Sequence, residues 1–208
     1  MRWSLRLFPV ALAVGLLSVA ATGSAAPTPT KVVYVAPVEA SGKALASDIV
    51  LVSTKGTCEP GSDSVPGPVY RCVNDDNSAL DPCWAANIPD EHHRAVLCMP
   101  WPWSRIVVQV DSTTPLPAST QSVPHSTAFP WGVRLANGEN CLAAQGARRA
   151  YRGRVVDYFC GSTFHLVLLR GLHQATQPWT FDSAIWNGTS YTPGPVETVR
   201  VAWFGGPR

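Results

Sequence analysis

The sequence predicts an all-β or mostly β fold: a small, disulfide-stabilised domain of sandwich- or barrel-like type, rich in loops and proline. Three observations lead there. No window of a dozen residues carries the apolar spacing of an amphipathic helix, whereas short runs of β-branched and aromatic residues recur throughout. The 208 residues include 19 prolines, which interrupt helices and settle in turns and at strand edges. Six cysteines, Cys58, Cys72, Cys83, Cys98, Cys141 and Cys160, are spaced to staple short excursions of chain.

The chain opens with the three parts of an export signal, assigned to residues 1–25. Arg2 and Arg6 form a positive start, Leu7 to Ala21 is almost wholly apolar, and Gly23-Ser24-Ala25-Ala26 supplies the small side chains that signal peptidase reads. Cleavage is expected after Ala25 or Ala26, with Ala25 preferred because Pro27 would otherwise follow the scissile bond directly. The apolar run, about 15 residues, is shorter than the roughly 20 that span a bilayer, so no stable membrane span is expected after cleavage. No cysteine precedes Cys58 to take a lipid, and Arg2 and Arg6 are not adjacent as twin-arginine export requires. Both arginines leave with the signal, so 14 basic residues face 14 acidic ones in the mature chain. That neutrality, with no basic stripe, argues against nucleic acid as a partner.

An even number of cysteines in an exported chain reads as a disulfide framework. Fifteen pairings of six cysteines exist, and the strand-like runs around them favour the sequential one: 58–72, 83–98 and 141–160. Each closes a loop worth roughly 3 kcal/mol in the chain-entropy model. Zinc sites favour closely spaced pairs such as C-x2-C, and the shortest gap here holds ten residues. No metal or other cofactor is expected.

Residues 26–57 read as an N-terminal extension with short strands, Val32 to Val35 and Asp48 to Val52, around a brief helix or loop at Glu39 to Ser47. Residues 58–206 read as one disulfide-bonded β-rich domain, with two lobes split near 112–130, where Ser, Thr and Pro accumulate. Strands are expected at Val69 to Val73, Ala95 to Leu97, Arg105 to Val110, Gly132 to Ala136, Cys141 to Ala143, Tyr151 to Cys160, His165 to Leu169, Trp179 to Trp186 and Thr198 to Phe204. The last alternates Val199, Val201 and Trp203 on one side. Asn137-Gly138 is a hairpin signal; Asn187-Gly188-Thr189 fits a glycosylation acceptor but reads first as a turn. Asp81, before Pro82-Cys83, reads as a turn cap. A faint echo links the halves: Cys58 with Tyr70-Arg71-Cys72 resembles Cys141 with Tyr158-Phe159-Cys160, and Pro-Trp follows each at Pro102-Trp103 and Pro178-Trp179.

Few lysines beside thirteen arginines, with abundant Ala, Val, Gly and Pro, suggest a GC-rich bacterial genome. The order of Tyr70-Arg71-Cys72, Asp81-Pro82-Cys83-Trp84, Cys98 before Pro102-Trp103, Pro115-Leu116-Pro117, Pro130-Trp131-Gly132 to Asn137-Gly138-Glu139-Asn140-Cys141, Tyr158-Phe159-Cys160, Trp179-Thr180 and Val201-Ala202-Trp203-Phe204 resembles that of exported actinobacterial proteins with no assigned activity. The resemblance covers roughly residues 55 to 205 and implies one co-folded unit; it brings no catalytic residue.

The chain lacks G-x-S-x-G, S-x-x-K with its partner motifs, and H-E-x-x-H. Glu91-His92-His93 comes nearest to a zincin, but adjacent histidines on a strand point to opposite faces. Asp157 with His165 and a serine, or Asp90 with His92, can be assembled only on paper. No catalytic residue is therefore assigned. Two surface features remain as ligand-binding candidates. Tryptophans in such a chain are expected first to fill a small core against the disulfides; Trp101 and Trp103, two apart on the edge of a strand, are the best candidates for exposed rings that stack on sugars. Arg148, Arg149, Arg152 and Arg154 crowd one hairpin, which reads first as a solvated tip and otherwise suits an anionic partner. The expected function is a secreted, non-catalytic binding or structural protein of the bacterial envelope or extracellular space, cell-wall association included, whose partner is an envelope glycan or another exported protein. The alternatives are an envelope hydrolase without a recognisable motif and a secreted inhibitor-like or host-interaction module. Exposed Trp or Arg without a deep cleft favours binding; a deep pocket holding His and carboxylate favours the enzyme.

Overall fold

A computed structural model describes residues 26–39, 43, 50–62, 65, 68–86, 95–118, 128–145 and 149–206. The export signal, most of the expected Glu39–Ser47 element, Asp90 to His93 and Arg148 lie outside these residues. The described residues hold strands and no helix, so none is long and apolar enough to cross a membrane.

In chain order the strands are β1 (Lys31–Val35), β2 (Val50–Pro60), β3 (Val69–Asn74), β4 (Ala79–Ala85), β5 (Ala95–Cys98), β6 (Ile106–Ser112), β7 (Gly132–Leu135), β8 (Asn140–Ala143), β9 (Ala150–Tyr151), β10 (Arg154–Cys160), β11 (Leu166–Leu169), β12 (Thr180–Trp186) and β13 (Tyr191–Gly205). They form two closed sheets. β2 to β6 make a five-stranded antiparallel meander that closes through a parallel β2–β6 pair. An odd number of alternating strands leaves the first and last pointing the same way, so closure must be parallel. β8, β10, β11, β12 and β13 repeat this path, and β7 is inserted between the last and the first, antiparallel to both. The second barrel is thus the first with one extra strand, which gives the sequence echo a counterpart in strand order. β2 runs unbroken through residues 57 and 58, so the N-terminal extension shares its second strand with the first barrel.

The disulfides are Cys58–Cys72, Cys83–Cys98 and Cys141–Cys160, the sequential pairing. Each joins residues directly opposite one another on neighbouring antiparallel strands, β2–β3, β4–β5 and β8–β10. Three disulfides are typical of proteins that work outside the reducing cytoplasm.

Both barrels are apolar inside. Tyr70, Cys72, Cys83, Val96, Cys98 and Val110 fill the first; Leu135, Tyr158, Leu168, Phe181, Val199 and Ala202 fill the second. The first barrel is also apolar outside. Val69, Trp84, Leu97 and Val107 alternate with its interior residues and pack with Val65 and Met99 against Trp131, at the entry to β7. Trp84 and Trp131 have ring centroids 6.1 Å apart, and Trp103 and Trp203 5.5 Å. A tryptophan seam therefore joins the barrels. Strands buried on both faces lose the alternation of a half-buried strand, which is why β5 is buried at every position. Asp81 lies buried within β4, not at a turn: its strand is continuous from Ala79 to Ala85.

Two tyrosines, each two residues before a cysteine, anchor the segment between the barrels. The Tyr70 hydroxyl donates to the Pro117 carbonyl at 3.0 Å, and the buried Tyr158 hydroxyl donates to the Pro130 carbonyl at 2.5 Å. Thr30 secures the N-terminal strand: its hydroxyl donates to the Val199 carbonyl at 2.7 Å and accepts from the Trp179 N–H at 2.8 Å. β1 then adds in parallel to the C-terminal half of β13.

The expected alternation of Val199, Val201 and Trp203 on one side is overturned. A register shift between Val199 and Val201 in the β13–β7 pair inserts a bulge, so Val199, Ala202 and Phe204 point into the barrel while Trp203 meets Trp103. Replacing Tyr158 with Phe should lower stability by about 1–3 kcal/mol, because the Pro130 carbonyl stays buried without its donor. Tyr70→Phe, whose bond is only partly buried, should cost about 0.5–1.5 kcal/mol. Urea denaturation of the two variants measures both.

Candidate functional site

The second barrel has an apolar outer face as well. Val156, Val167, Leu169 and Ala184 are buried on the outside of β10, β11 and β12, on the side opposite Tyr158, Leu166 and Leu168. The first barrel's outer face is covered by the second barrel; this one is covered by aromatic side chains, Tyr151, Phe159 and Tyr191. Around them the surface forms an open concavity of about 390 Å³, lined by Arg149, Phe159, Thr163, Phe164, Trp186 and Tyr191.

Four elements position these groups. β10 contributes Phe159, whose ring meets Phe164 edge-on at 5.7 Å. Phe164 belongs to the β10–β11 turn and has φ 53°, in the left-handed region that bulky side chains rarely occupy. It is 55% exposed, so this conformation presents an aromatic ring to solvent at the rim. The β12–β13 hairpin contributes Trp186, 39% exposed, and Tyr191, with ring centroids 5.1 Å apart. Asn187-Gly188-Thr189 closes that hairpin as a turn: Gly188 has φ 96° and the Asn187 side-chain oxygen accepts from the N–H groups of Thr189 and Ser190. Tyr151 in β9 meets Tyr191 at 6.2 Å, and its hydroxyl is closed off from solvent with no hydrogen-bond partner among the described residues.

The arginine hairpin expected from sequence is β9–β10, and its members have separate tasks. Arg149 lines the concavity, is exposed, and has no ion-pair partner among the described residues. Arg152, at the turn with φ 48°, stacks on Tyr151 at 5.4 Å. Arg154 is committed to Asp182 at 2.7 Å and to the Arg170 carbonyl at 2.9 Å. Arg148 lies outside the described residues.

The expected strand-edge pair Trp101 and Trp103 differs in placement. Both sit in the β5–β6 connection, where Pro100 and Pro102 exclude a regular strand. Trp101 is 42% exposed, whereas Trp103 packs on Trp203 and lies against Gly132, where an added Cβ would come within 2.9 Å of its ring. Trp103 is thus a seam residue, and the exposed ring cluster is carried instead by Phe164, Trp186 and Tyr191. The signal that could have found them is the gathering of aromatics about two turns, Phe159 and Phe164 at the end of β10 and Trp186 and Tyr191 on either side of Asn187-Gly188.

Of the residues weighed as triads, Asp157 and His165 are engaged with other partners among the described residues. Asp157 accepts from Arg170 Nε at 3.4 Å, while the His165 ring pairs with the Thr163 hydroxyl at 2.9 Å and approaches Glu139 at 4.0 Å. Asp90 and His92 lie outside the described residues. No histidine or carboxylate among the described residues lines the aromatic concavity. No protein-family model, no curated protein and no solved structure matches the chain, so the chemistry of the site is read from its own geometry.

Near this end of the second barrel, Glu197 has its carboxyl pushed above the ordinary glutamate value, first by burial and then by repulsion from Glu139. Between the ordinary value and the raised one, the folded chain holds more protons than the unfolded chain, so Glu197 weakens the fold as pH climbs through that window. Glu197→Gln should therefore raise the melting temperature at pH 7 and leave it nearly unchanged at pH 4. A pH series of thermal melts reads the difference.

Proposed function

We propose that the chain is a secreted, non-catalytic binding protein of the bacterial cell envelope or extracellular space, and that it takes an anionic saccharide on the aromatic concavity of the second barrel. The observation that carries this reading is the convergence of Phe159, Phe164, Trp186 and Tyr191 with the exposed Arg149 on one open surface. Sugar rings present C–H-rich faces that pack on aromatic rings, and large amphipathic side chains concentrate binding energy at little entropic cost. An exposed guanidinium beside those rings has donors for two oxygens of a carboxylate or phosphate. Arg149 has no ion-pair partner among the described residues, so binding an anion displaces no ion pair formed there. The disulfide framework, the export signal and the resemblance to exported actinobacterial proteins support the location.

The concavity is open, and its lining among the described residues holds neither the histidine nor the carboxylate that general acid–base hydrolysis requires. That favours binding over the hydrolase reading. The test is an array of neutral, uronate-bearing and phosphate-bearing polysaccharides probed with oxidised mature protein. Retention on one or both anionic sets is expected. Phe164→Ala and Trp186→Ala should each weaken it about tenfold or more, a loss of ~1.4 kcal/mol. Arg149→Gln should erase the preference for anionic over neutral polymers. Failure to retain any polysaccharide overturns the proposal, and so does retention that Phe164→Ala and Trp186→Ala leave unchanged.

A further inference from the structure

The four cysteines of the first barrel stand on four successive strands: Cys58 on β2, Cys72 on β3, Cys83 on β4 and Cys98 on β5. Cys58 faces Cys72, and Cys83 faces Cys98. Cys72 and Cys83 are offset across β3–β4, where Cys83 pairs with Tyr70 and Cys72 with Leu80. All four belong to the same interior cluster. The Sγ atoms of Cys72, Cys83 and Cys98 lie within 4.8 Å of one another, so the two disulfides are neighbours in space although ten residues separate them in sequence. Cys72, Cys83 and Cys98 are fully buried; Cys58, at 8% exposure, is the least buried residue of the four.

We propose that Cys72, Cys83 and Cys98 form a thiol–disulfide exchange site inside the first barrel, addressed from outside by a thiol that attacks Cys58. The attacking thiolate bonds to Cys58 Sγ, the Cys58–Cys72 bond breaks, and Cys72 leaves as a thiolate beside the second disulfide. Cys72 then attacks Cys83: a Cys72–Cys83 bond forms, the Cys83–Cys98 bond breaks, and Cys98 takes the electron pair and a proton. This second step is redox-neutral and needs no further reagent. Its structural effect is to move a staple from β4–β5 to β3–β4. β4 and β5 carry Trp84 and Leu97, which pack against Trp131 in the seam, so exchange releases the strands on which the second barrel rests. Cys141–Cys160, in the core of the other barrel, lies outside the three-sulfur group and serves as an internal reference.

The site can be read without any reductant. Cys58→Ser leaves Cys72 as a free thiol next to an intact Cys83–Cys98. After incubation at about pH 8.5, near the ordinary thiol pKa, acid quenching, alkylation and peptide mapping should place the label on Cys98 and reveal a Cys72–Cys83 crosslink. Label confined to Cys72, with Cys83–Cys98 intact, overturns the proposal. Cys72→Ser loses the same staple but leaves Cys58, which is not in the three-sulfur group; its label should stay on Cys58, and migration there too would show general scrambling and overturn the assignment. Should either variant fail to fold, limited reduction of the native protein by a dithiol decides. Double labelling of Cys58 and Cys98 in one molecule supports exchange, and labelling only in native pairs overturns it.

Discussion

The bulge in β13 is the constraint on which the rest of the molecule depends. One strand of fifteen residues must close the second barrel against β12 and β7, receive β1 at its end and face the first barrel. Strict alternation would put Val199, Val201 and Trp203 on the same side, so the largest ring would compete with the barrel core for space. The extra residue between Val199 and Val201 resets the phase. Ala202 and Phe204 then complete the core, and Trp203 turns outward to Trp103, with the Arg134 guanidinium over its ring at 5.5 Å. The Trp203 carbonyl also accepts from the Trp131 N–H at 2.7 Å, which ties the seam to the strand that creates it.

From that arrangement follows the unequal treatment of the two outer faces. Each barrel is a closed ladder, with β1 added to the C-terminal half of β13, yet each has apolar residues on its outside that must leave water. The first barrel solves this with an entire neighbour: Trp84, Leu97 and Val107 disappear against Trp131. The second covers Val156, Val167 and Ala184 with side chains drawn from β9, β10 and β13. Rings are suited to this because each covers a large area with few torsions to fix. A cover made of rings is also a surface to which another ring face can add. The candidate site is in this sense a by-product of covering a barrel face that, among the described residues, only side chains of the same barrel cover.

Disulfides play a different part from the rings. Each links directly opposed residues on adjacent strands, so they lock register within a barrel and contribute nothing directly to the seam. Locked register matters because a one-residue slip would exchange the interior and exterior sets of side chains. In the first barrel both sets are apolar, and hydrophobic pattern alone discriminates poorly between them. Two staples in that barrel and one in the second match this difference in need.

Much of the local structure is legible in the chain because it arises from short-range chemistry. Period-two apolar runs marked most strands, Asn137-Gly138 and Asn187-Gly188 marked two turns through the positive φ that glycine accepts, and even, well-spaced cysteines marked sequential pairing. What the chain could not reveal by itself was which residues meet across long separations. Trp103 reads like an exposed stacking ring and is a seam residue because β13 brings Trp203 to it. Phe164, Trp186 and Tyr191 look unremarkable in sequence and converge because barrel closure curls β10, β12 and β13 around one outer face. The cysteines with which the fold could be predicted show the same division. Local spacing determined that they pair along the chain, whereas only the closed barrel brought Cys72, Cys83 and Cys98 together, since curvature, and not sequence proximity, sets the distances between strands.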